Sequence, residues 1–201
     1  ENDRILVFYS GHGETLEGAD GSKKGYIIPY EGKQDNPFGT GFSMSEIATT
    51  AQMSKAKHML FLMDACYSGL MTESVKGLEK SQDKGYLSKV ANEKARQIIT
   101  AGGRGEQVIE KAEWGHSAFT MNLIRALENG KADLNDDGYI TGDELGLFLK
   151  EKVTIDSENQ QTPQYGRMTS QEGEFIFVYS ENTIINQDVK SVSSDEKLDL
   201  L

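Results

Sequence analysis

Short apolar runs, each ended by glycine or polar residues, recur along the chain. Their length and their content of β-branched and aromatic residues are typical of buried strands. One of these runs, over residues 58–65, ends just before the only cysteine. The pattern predicts strands over residues 4–10, 25–30, 58–65, 96–103 and 174–180.

Three other stretches carry apolar residues at helical spacing. Ser43 or Ser45 is the predicted N-cap of the first, and Gly130 is the predicted stop of the second. Strands that alternate with helices favour an α/β sandwich with a largely parallel central sheet. The predicted helices cover residues 43–53, 117–130 and 142–153.

Two segments lie outside this alternation. Residues 72–93 are polar and lysine-rich with little apolar periodicity, and residues 181–201 form a polar tail or linker. A chain of 201 residues predicts one domain, which we place at residues 1–180. The chain has no initiator Met and enters an apolar run by Ile5, so we expect a fragment of a longer or processed protein.

Charge and cysteine content narrow the function classes. The net charge of −11 disfavours a nucleic-acid surface and favours basic peptides or cations as partners. No stretch reaches the roughly 20 apolar residues that a membrane span needs. One cysteine excludes an internal disulfide, so we expect a cytoplasmic protein.

Reactive residues follow two of the predicted strands. His12 comes directly after the first strand, and Cys66 follows the strand over residues 58–65. Parallel strands end at a common sheet edge, which would bring the imidazole within reach of the thiol as a proton acceptor. The N–H groups of Gly13 and Cys66 are candidate oxyanion donors. Either residue alone is more often structural, but the pair in this setting predicts nucleophilic catalysis.

The motifs YSGHG and DACYSG resemble those of the caspase and metacaspase cysteine peptidases, most of all bacterial caspase-like proteins. The resemblance runs from Arg4 to Tyr179 through GYIIP, ITAGG, GHSAFT and QTPQ. It implies a caspase-like three-layer sandwich, a His12–Cys66 dyad and peptide hydrolysis through a thioester. The family also has strands and a helix before its histidine strand, which this sequence lacks.

The same resemblance implies a specificity. Caspases that cut after aspartate carry Gln two residues before the cysteine and Arg just after it, where this chain has Asp64 and Tyr67. An acidic pocket would bind a substrate Lys or Arg, as in metacaspases and paracaspases. Ser10 matches a position in that pocket, and Glu106 is a candidate second carboxylate. The alternative role for Asp64 is to cap local amides at the strand end.

Self-processing is a further expectation from the resemblance, because this family is commonly cleaved between the cysteine strand and the next core strand. A merely solvated loop explains the same composition equally well. The basic residues of this stretch are Lys76, Lys80, Lys84, Lys89, Lys94 and Arg96.

The segment DLNDDGYITGDE, residues 133–144, fits a twelve-residue EF-hand loop with Gly138 at the sharp turn. It predicts a Ca²⁺ site, and the alternative is a loop that keeps the turn through side-chain hydrogen bonds without a metal. The separate metacaspase calcium site is not expected, because residues 43–46 lack its Asp pair. The predicted ligands are Asp133, Asn135, Asp137, the Tyr139 carbonyl, Thr141 and Glu144.

Other candidates receive structural roles. We expect His116 to cap or pack beside the cleft, His58 to face solvent, and Trp114 to be half-buried or to line a subsite.

The leading hypothesis is a caspase-like cysteine endopeptidase that cleaves after Arg or Lys, with Ca²⁺ as a candidate regulator. Its partners would be protein substrates and either the missing N-terminal part or a regulatory subunit. Two alternatives remain: a non-catalytic interaction or calcium-sensing module, and another Cys-His thiol hydrolase or transferase.

Overall fold

The structure is a computed structural model that describes residues 2–65, 84–103 and 105–179. Its strands fall into three sheets. In chain order they are β1 (Arg4–Ser10), β2 (His12–Glu17), β3 (Lys23–Ile28), β4 (Phe42–Ser43), β5 (His58–Asp64), β6 (Ala95–Thr100), β7 (Tyr139–Thr141), β8 (Gln164–Arg167) and β9 (Ile176–Val178).

The α-helices lie between these strands, and a 3₁₀ turn spans Ala112–Trp114. Within the described ranges, no helix is long and apolar enough to cross a membrane. In chain order the helices are α1 (Pro37–Thr40), α2 (Met44–Met53), α3 (Lys84–Asn92), α4 (Ala118–Glu128) and α5 (Gly142–Asp156).

The central sheet has the strand order β1-β5-β6-β8. β1, β5 and β6 are parallel, and β8 adds an antiparallel edge. β5 and β6 are buried at every position, as expected for strands covered on both faces. Leu60 and Leu62 pack with residues of α4 and α5 on one face. Met59, Phe61 and Met63 pack on the other face, with Met44 and Ala51 of α2. The predicted three-layer α/β sandwich is therefore confirmed.

A second, antiparallel sheet of β2, β3 and β4 begins immediately after β1. The sequence did not predict β2, because its residues, HGETLE, have little apolar content. The Tyr9 hydroxyl joins the two sheets: it lies 2.8 Å from the carbonyl oxygens of His12 and Ile28. A Cβ at Gly11 would lie 2.7 Å from that hydroxyl oxygen, so any larger residue at this corner would require the Tyr9 side chain to move.

The helix starts follow the sequence closely. Ser43, one of the two predicted N-caps, caps α2 in a capping box with Glu46. Ser117 caps α4, and Thr141 caps α5 in a second capping box with Glu144. These caps satisfy the first free amides of each helix and fix where it begins.

One helix was not expected. α3 lies inside the segment judged to lack apolar periodicity, yet Leu87, Val90 and Ala91 form one apolar face. This face packs against Ile176 of β9 and Tyr139 of β7. The i, i+3, i+4 spacing was present in the sequence but short, and the surrounding lysines obscured it.

β9 pairs with β7 in a separate antiparallel ribbon and does not extend the central sheet. Glu174, just before β9, is fully buried in a polar cluster. The Tyr86 hydroxyl donates to its carboxylate at 2.5 Å, and Arg167 pairs with both Glu174 and Asp143. Burial, together with the charge of Asp143, raises the pKa of Glu174. The cluster fastens α3, β8 and α5 to one another.

Arg96 is excluded as a processing site. Its side chain is 1% exposed, and its guanidinium donates to five backbone carbonyls around the end of α2 and the start of β5 and β6. Lys89 is exposed on α3 and pairs with Glu172. Lys76, Lys80 and the tail from residue 181 lie outside the described residues.

The expectation that His58 faces solvent is wrong. His58 is 1% exposed, because it lies at the start of a strand whose neighbours cover it on both sides. Its Nε2 donates to the Glu93 carbonyl at 3.0 Å, and its Nδ1 is buried without a partner among the described residues. Burial is the main cause that lowers the pKa of His58 to about 4, and the charges of Arg4 and Lys57 lower it further.

His58 should therefore make a contribution to the stability of the fold that is lost on acidification. The unfolded chain binds a proton at His58 near pH 6.5, whereas the folded chain resists until about pH 4. The contribution of His58 to the free energy of unfolding is fully present above pH 6.5. It falls by about 3 kcal/mol as the pH drops from 6.5 to about 4. Urea unfolding from pH 4 to pH 8 measures it. His58→Gln should flatten the dependence, exposed His116→Gln should not, and equal slopes in both variants would contradict this account.

Candidate active site

Two strand ends meet at the carboxyl edge of the central sheet. Ser10, the last residue of β1, is paired with Asp64, the last residue of β5. The Gly11 N–H then donates to the Asp64 carbonyl at 3.2 Å, which holds the chain after β1 against the end of β5. His12 and Cys66 each follow this paired position by two residues. Cys66 and Tyr67 themselves lie outside the described residues.

His12 opens β2 and is exposed to solvent. Its backbone is fixed on two sides, by pairing with Ile28 of β3 and by the Tyr9 hydroxyl on its carbonyl oxygen. Gly13 follows it in β2, opposite Ile27. The predicted base and the predicted oxyanion donor Gly13 therefore lie on a rigid element beside the end of β5.

Asp64 is buried, with 3% of its surface exposed. Its Oδ2 accepts two hydrogen bonds, one from the Ser117 hydroxyl at 2.5 Å and one from the Thr120 hydroxyl at 2.6 Å. Both donors belong to the first turn of α4. The other carboxylate oxygen, Oδ1, is buried and has no hydrogen-bond partner in the part of the chain that the structure describes.

Opposing effects act on the pKa of Asp64. Burial raises it, because the charged form loses its hydration. The hydrogen bonds from Ser117 and Thr120 lower it, and the negative charge of Glu110 raises it again. The net shift is upward because burial outweighs the two hydrogen bonds, and no cation among the described residues contributes to lowering this pKa.

A cavity of about 740 Å³ opens beside Asp64. Its wall on the sheet side consists of Phe8, Ser10 and Asp64, from the ends of β1 and β5. The opposite wall comes from residues 110–112 and from the turn that leads into α4, with Glu110 and His116 among them. The cavity thus combines an apolar ring, three hydroxyls, two carboxylates and the basic side chains of Lys111 and His116.

The structure brings the predicted pocket residues Ser10 and Asp64 together, but it does not place Glu106 with them. The Glu106 carboxylate accepts from the Gly103 N–H at 2.8 Å and from the Thr162 N–H at 2.6 Å. It is not among the described residues that line the cavity. Glu110, four residues later, is the second carboxylate there. Glu106 instead anchors the loop that carries Glu110.

Gln161 supports the same loop from inside the protein. Its side chain is fully buried, donates to the Ala101 carbonyl at 2.7 Å and accepts from the Ile109 N–H at 2.8 Å. This contact explains why the QTPQ segment belongs with the site, although it lies far along the chain.

The sequence did not single out three residues that line the cavity: Glu110, Ser117 and Thr120. The signal for the last two was present, since GHSAFT puts two hydroxyls three residues apart at a predicted helix start. Of the other candidates, His116 lines the cavity as expected beside the cleft. Trp114 is half-buried against the core, with the Lys111 ammonium 4.6 Å from its ring centre.

The loop over residues 133–144 lies between α4 and α5, as the EF-hand pattern requires. The Asp133 carboxylate accepts from the N–H groups of Asp137 and Gly138, and Gly138 has a φ of 84°. The Glu144 carboxylate is buried and receives the Leu134 N–H at 3.3 Å. Burial and the charge of Asp137 raise the pKa of Glu144.

The residue types in this loop suit a hard cation, because every predicted ligand offers oxygen. The buried Glu144 carboxylate lies close to the acidic side chain of Asp137, and a bound cation would offset the repulsion between them. Within the described ranges, however, no three His, Cys, Asp or Glu side chains are arranged as a metal centre. The fit to Ca²⁺ therefore rests on the chemistry of the oxygen donors and not on their arrangement. The side chains that would hold the ion are Asp133, Asn135, Asp137, Thr141 and Glu144.

Comparison with known proteins agrees with this geometry. The sequence matches the family model of the caspase domain over residues 1–172, a range that includes both strand-end motifs and the cavity. No curated protein matches the chain. Since the family match covers most of the 201 residues, the chain belongs to the caspase-domain family of cysteine peptidases.

Proposed function

We propose that this protein is a cysteine endopeptidase that cleaves after Arg or Lys, with Cys66 as nucleophile and His12 as base and acid. One observation carries the specificity. Asp64, the last residue of β5 and two residues before Cys66, lines the cavity, and one of its carboxylate oxygens is buried without a partner among the described residues. A buried acceptor without a donor is unfavourable, and a cationic substrate side chain would satisfy it.

In the first step His12 takes the proton of the Cys66 thiol, and the sulfur attacks the carbonyl carbon of the scissile bond. The negative charge moves to the carbonyl oxygen, where the N–H groups of Gly13 and Cys66 would stabilise it. The C–N bond then breaks, and His12 gives its proton to the departing amine. The product is a thioester on Cys66.

In the second step a water molecule attacks the thioester, and His12 accepts one of its protons. The C–S bond breaks, the thiolate leaves and regains the proton from His12, and the carboxylic acid product dissociates. The β1–β5 register supports this assignment, because it sets His12 and Cys66 the same number of residues beyond one paired position.

The cavity wall supports a long basic side chain. Phe8 is partly exposed at the wall and offers an apolar surface for the methylene groups of Lys or Arg. Asp64 would bind the charged end, with Glu110 nearby. A substrate aspartate in the same place would put a third carboxylate next to these two, and like charges at short range repel. The pocket should therefore exclude acidic residues.

Peptides with Arg or Lys before the scissile bond should be cleaved, and peptides with Asp should not. Asp64→Asn should lower kcat/KM for the basic peptides about 100-fold or more, because the pocket loses the partner of a buried cation. Glu113→Gln is the matched control, since it removes an exposed carboxylate near the cavity but not in its wall. Undiminished cleavage after Arg by Asp64→Asn would contradict the specificity.

The dyad makes a separate prediction. Cys66→Ala should abolish cleavage, and His12→Ala should reduce kcat by about 100-fold to 10,000-fold. His116→Ala tests which histidine acts, because His116 lines the cavity but does not follow β1, whereas His12 follows β1 and is not among the described lining residues. Steady-state rates on one Arg peptide decide the matter. A larger loss of activity in His116→Ala than in His12→Ala would show that His116, not His12, is the base.

We also propose that the 133–144 loop binds Ca²⁺ and that the bound ion influences activity. Two contacts support an influence beyond the loop. β7, inside the loop, pairs with β9, and a Cβ at Gly146 of α5 would lie 2.4 Å from the Tyr165 ring of β8. The loop, the ribbon and the edge of the central sheet are therefore packed closely enough to respond to one another.

Titration calorimetry should show one Ca²⁺ site, and Glu144→Gln should weaken it by at least about tenfold, because the bidentate carboxylate is lost. Glutamine keeps the capping box with Thr141, so α5 still begins in the same place. Glu151→Gln, on the exposed face of the same helix, is the control. Equal affinities in the wild type and Glu144→Gln, or no heat at millimolar Ca²⁺, would contradict the site.

Self-processing remains part of the proposal, restricted to the exposed basic residues of the stretch after Cys66. Intact-mass measurement of active wild type and of Cys66→Ala would test it. A cut that is present only in the active protein supports self-processing, whereas full-length active enzyme removes it as a requirement.

A further inference from the structure

The first turn of α4 is built around the carboxylate of Asp64. Ser117 is the N-cap, and its hydroxyl oxygen accepts the Thr120 N–H at 2.9 Å. The same hydroxyl donates its proton to Asp64 Oδ2, and the Thr120 hydroxyl donates to that oxygen as well. The start of the helix and the end of β5 therefore form one hydrogen-bonded unit.

The Ser117 and Thr120 hydroxyls both donate to the same carboxylate oxygen of Asp64. Two short hydrogen bonds to Oδ2 restrict rotation of the carboxylate and leave Oδ1 as its one unpaired acceptor among the described residues. Both donors are also neutral, so they support the negative charge of Asp64 without cancelling it. A lysine or arginine in either place would supply the cation itself and close the pocket to a basic ligand.

The arrangement also sets the second carboxylate. Glu110 and Ser117 form an antiparallel bridge between their backbones, just before α4 begins. The residue that caps the helix and holds Asp64 thus also holds Glu110 at the opposite wall of the cavity.

We propose that Ser117 and Thr120 are positioning residues of the specificity pocket: they fix Asp64 through one oxygen so that the other receives the cationic group of the substrate. This inference rests on the proposed cleavage after Arg or Lys. It goes further, because it makes substrate recognition by Asp64 depend on two hydroxyls that do not themselves bind the substrate cation.

The inference predicts a particular change with pH. The Ser117 and Thr120 hydrogen bonds lower the pKa of Asp64, and removing either should let it rise. Asp64 binds a cation only when it is ionised, so the acid limb of kcat/KM should move to higher pH when a hydroxyl is lost. A purely structural role in α4 would reduce the amount of folded protein without moving this limb.

Thr120→Val removes the hydroxyl at nearly constant volume. It should lower kcat/KM for an Arg peptide about tenfold, mostly through KM, and shift the acid limb upward. A matched citrulline peptide, which is neutral, should lose much less. Thr120→Ser keeps a hydroxyl, so it should have the kcat/KM of the wild type and the same acid limb of the pH profile. Thr49→Val is the matched control, since it removes an exposed helix hydroxyl from α2, away from the cavity.

A readout independent of activity separates this inference from the proposed function. Carbon-13 NMR titration of the Asp64 carboxyl, assigned with Asp64→Asn, should give a higher midpoint in Thr120→Val than in the wild type. An unchanged midpoint overturns the inference even if the wild type cleaves after Arg. Absence of cleavage after Arg and Lys overturns the proposed function, and a raised midpoint would still support the positioning of Asp64 by Thr120.

Discussion

Backbone hydrogen bonds hold β1 and β5 parallel, in a register that pairs Arg4 with His58 at one end and Ser10 with Asp64 at the other. Because parallel strands end at the same edge, this pairing delivers both strand-end motifs to one place. The Gly11 N–H extends the contact by one residue beyond the strands. A shift of one residue in this register would turn Asp64 away from the cavity and misalign His12 with the residues after β5.

This edge also contains a buried group that is energetically unfavourable in the free protein. Asp64 is buried, with one oxygen held by two hydroxyls and the other unpaired within the described part of the chain. Such a group reduces the stability of the free protein by about 1–3 kcal/mol. A basic side chain would recover this free energy on binding, whereas a neutral or acidic one would not. Selectivity would then arise from the unpaired Asp64 oxygen of the free protein as well as from the attraction between Asp64 and a basic side chain.

The sequence revealed the parts of the fold whose apolar pattern is strong. β5 and β6 are continuous apolar runs, and α4 and α5 have clear helical spacing with hydroxyl caps. β2, β7 and β8 escaped because they are short or polar and depend on pairing with distant strands. Asp64 and Ser10 were predicted from their positions relative to the motifs. Glu106, predicted as a second carboxylate of the pocket, is not among the described residues that line the cavity, because loop geometry, set here by Gln161, has no local sequence pattern.

Covalent labelling tests the central claim most directly, because it reports the nucleophile and the pocket together without a turnover assay. The protein would be treated with two peptidyl acyloxymethyl ketones that differ only in Arg or Asp at the position before the reactive group. The account predicts one adduct per chain on Cys66, formed from the Arg reagent and greatly slowed by Asp64→Asn. An adduct formed equally well from the Asp reagent, or located on another residue, would contradict the account.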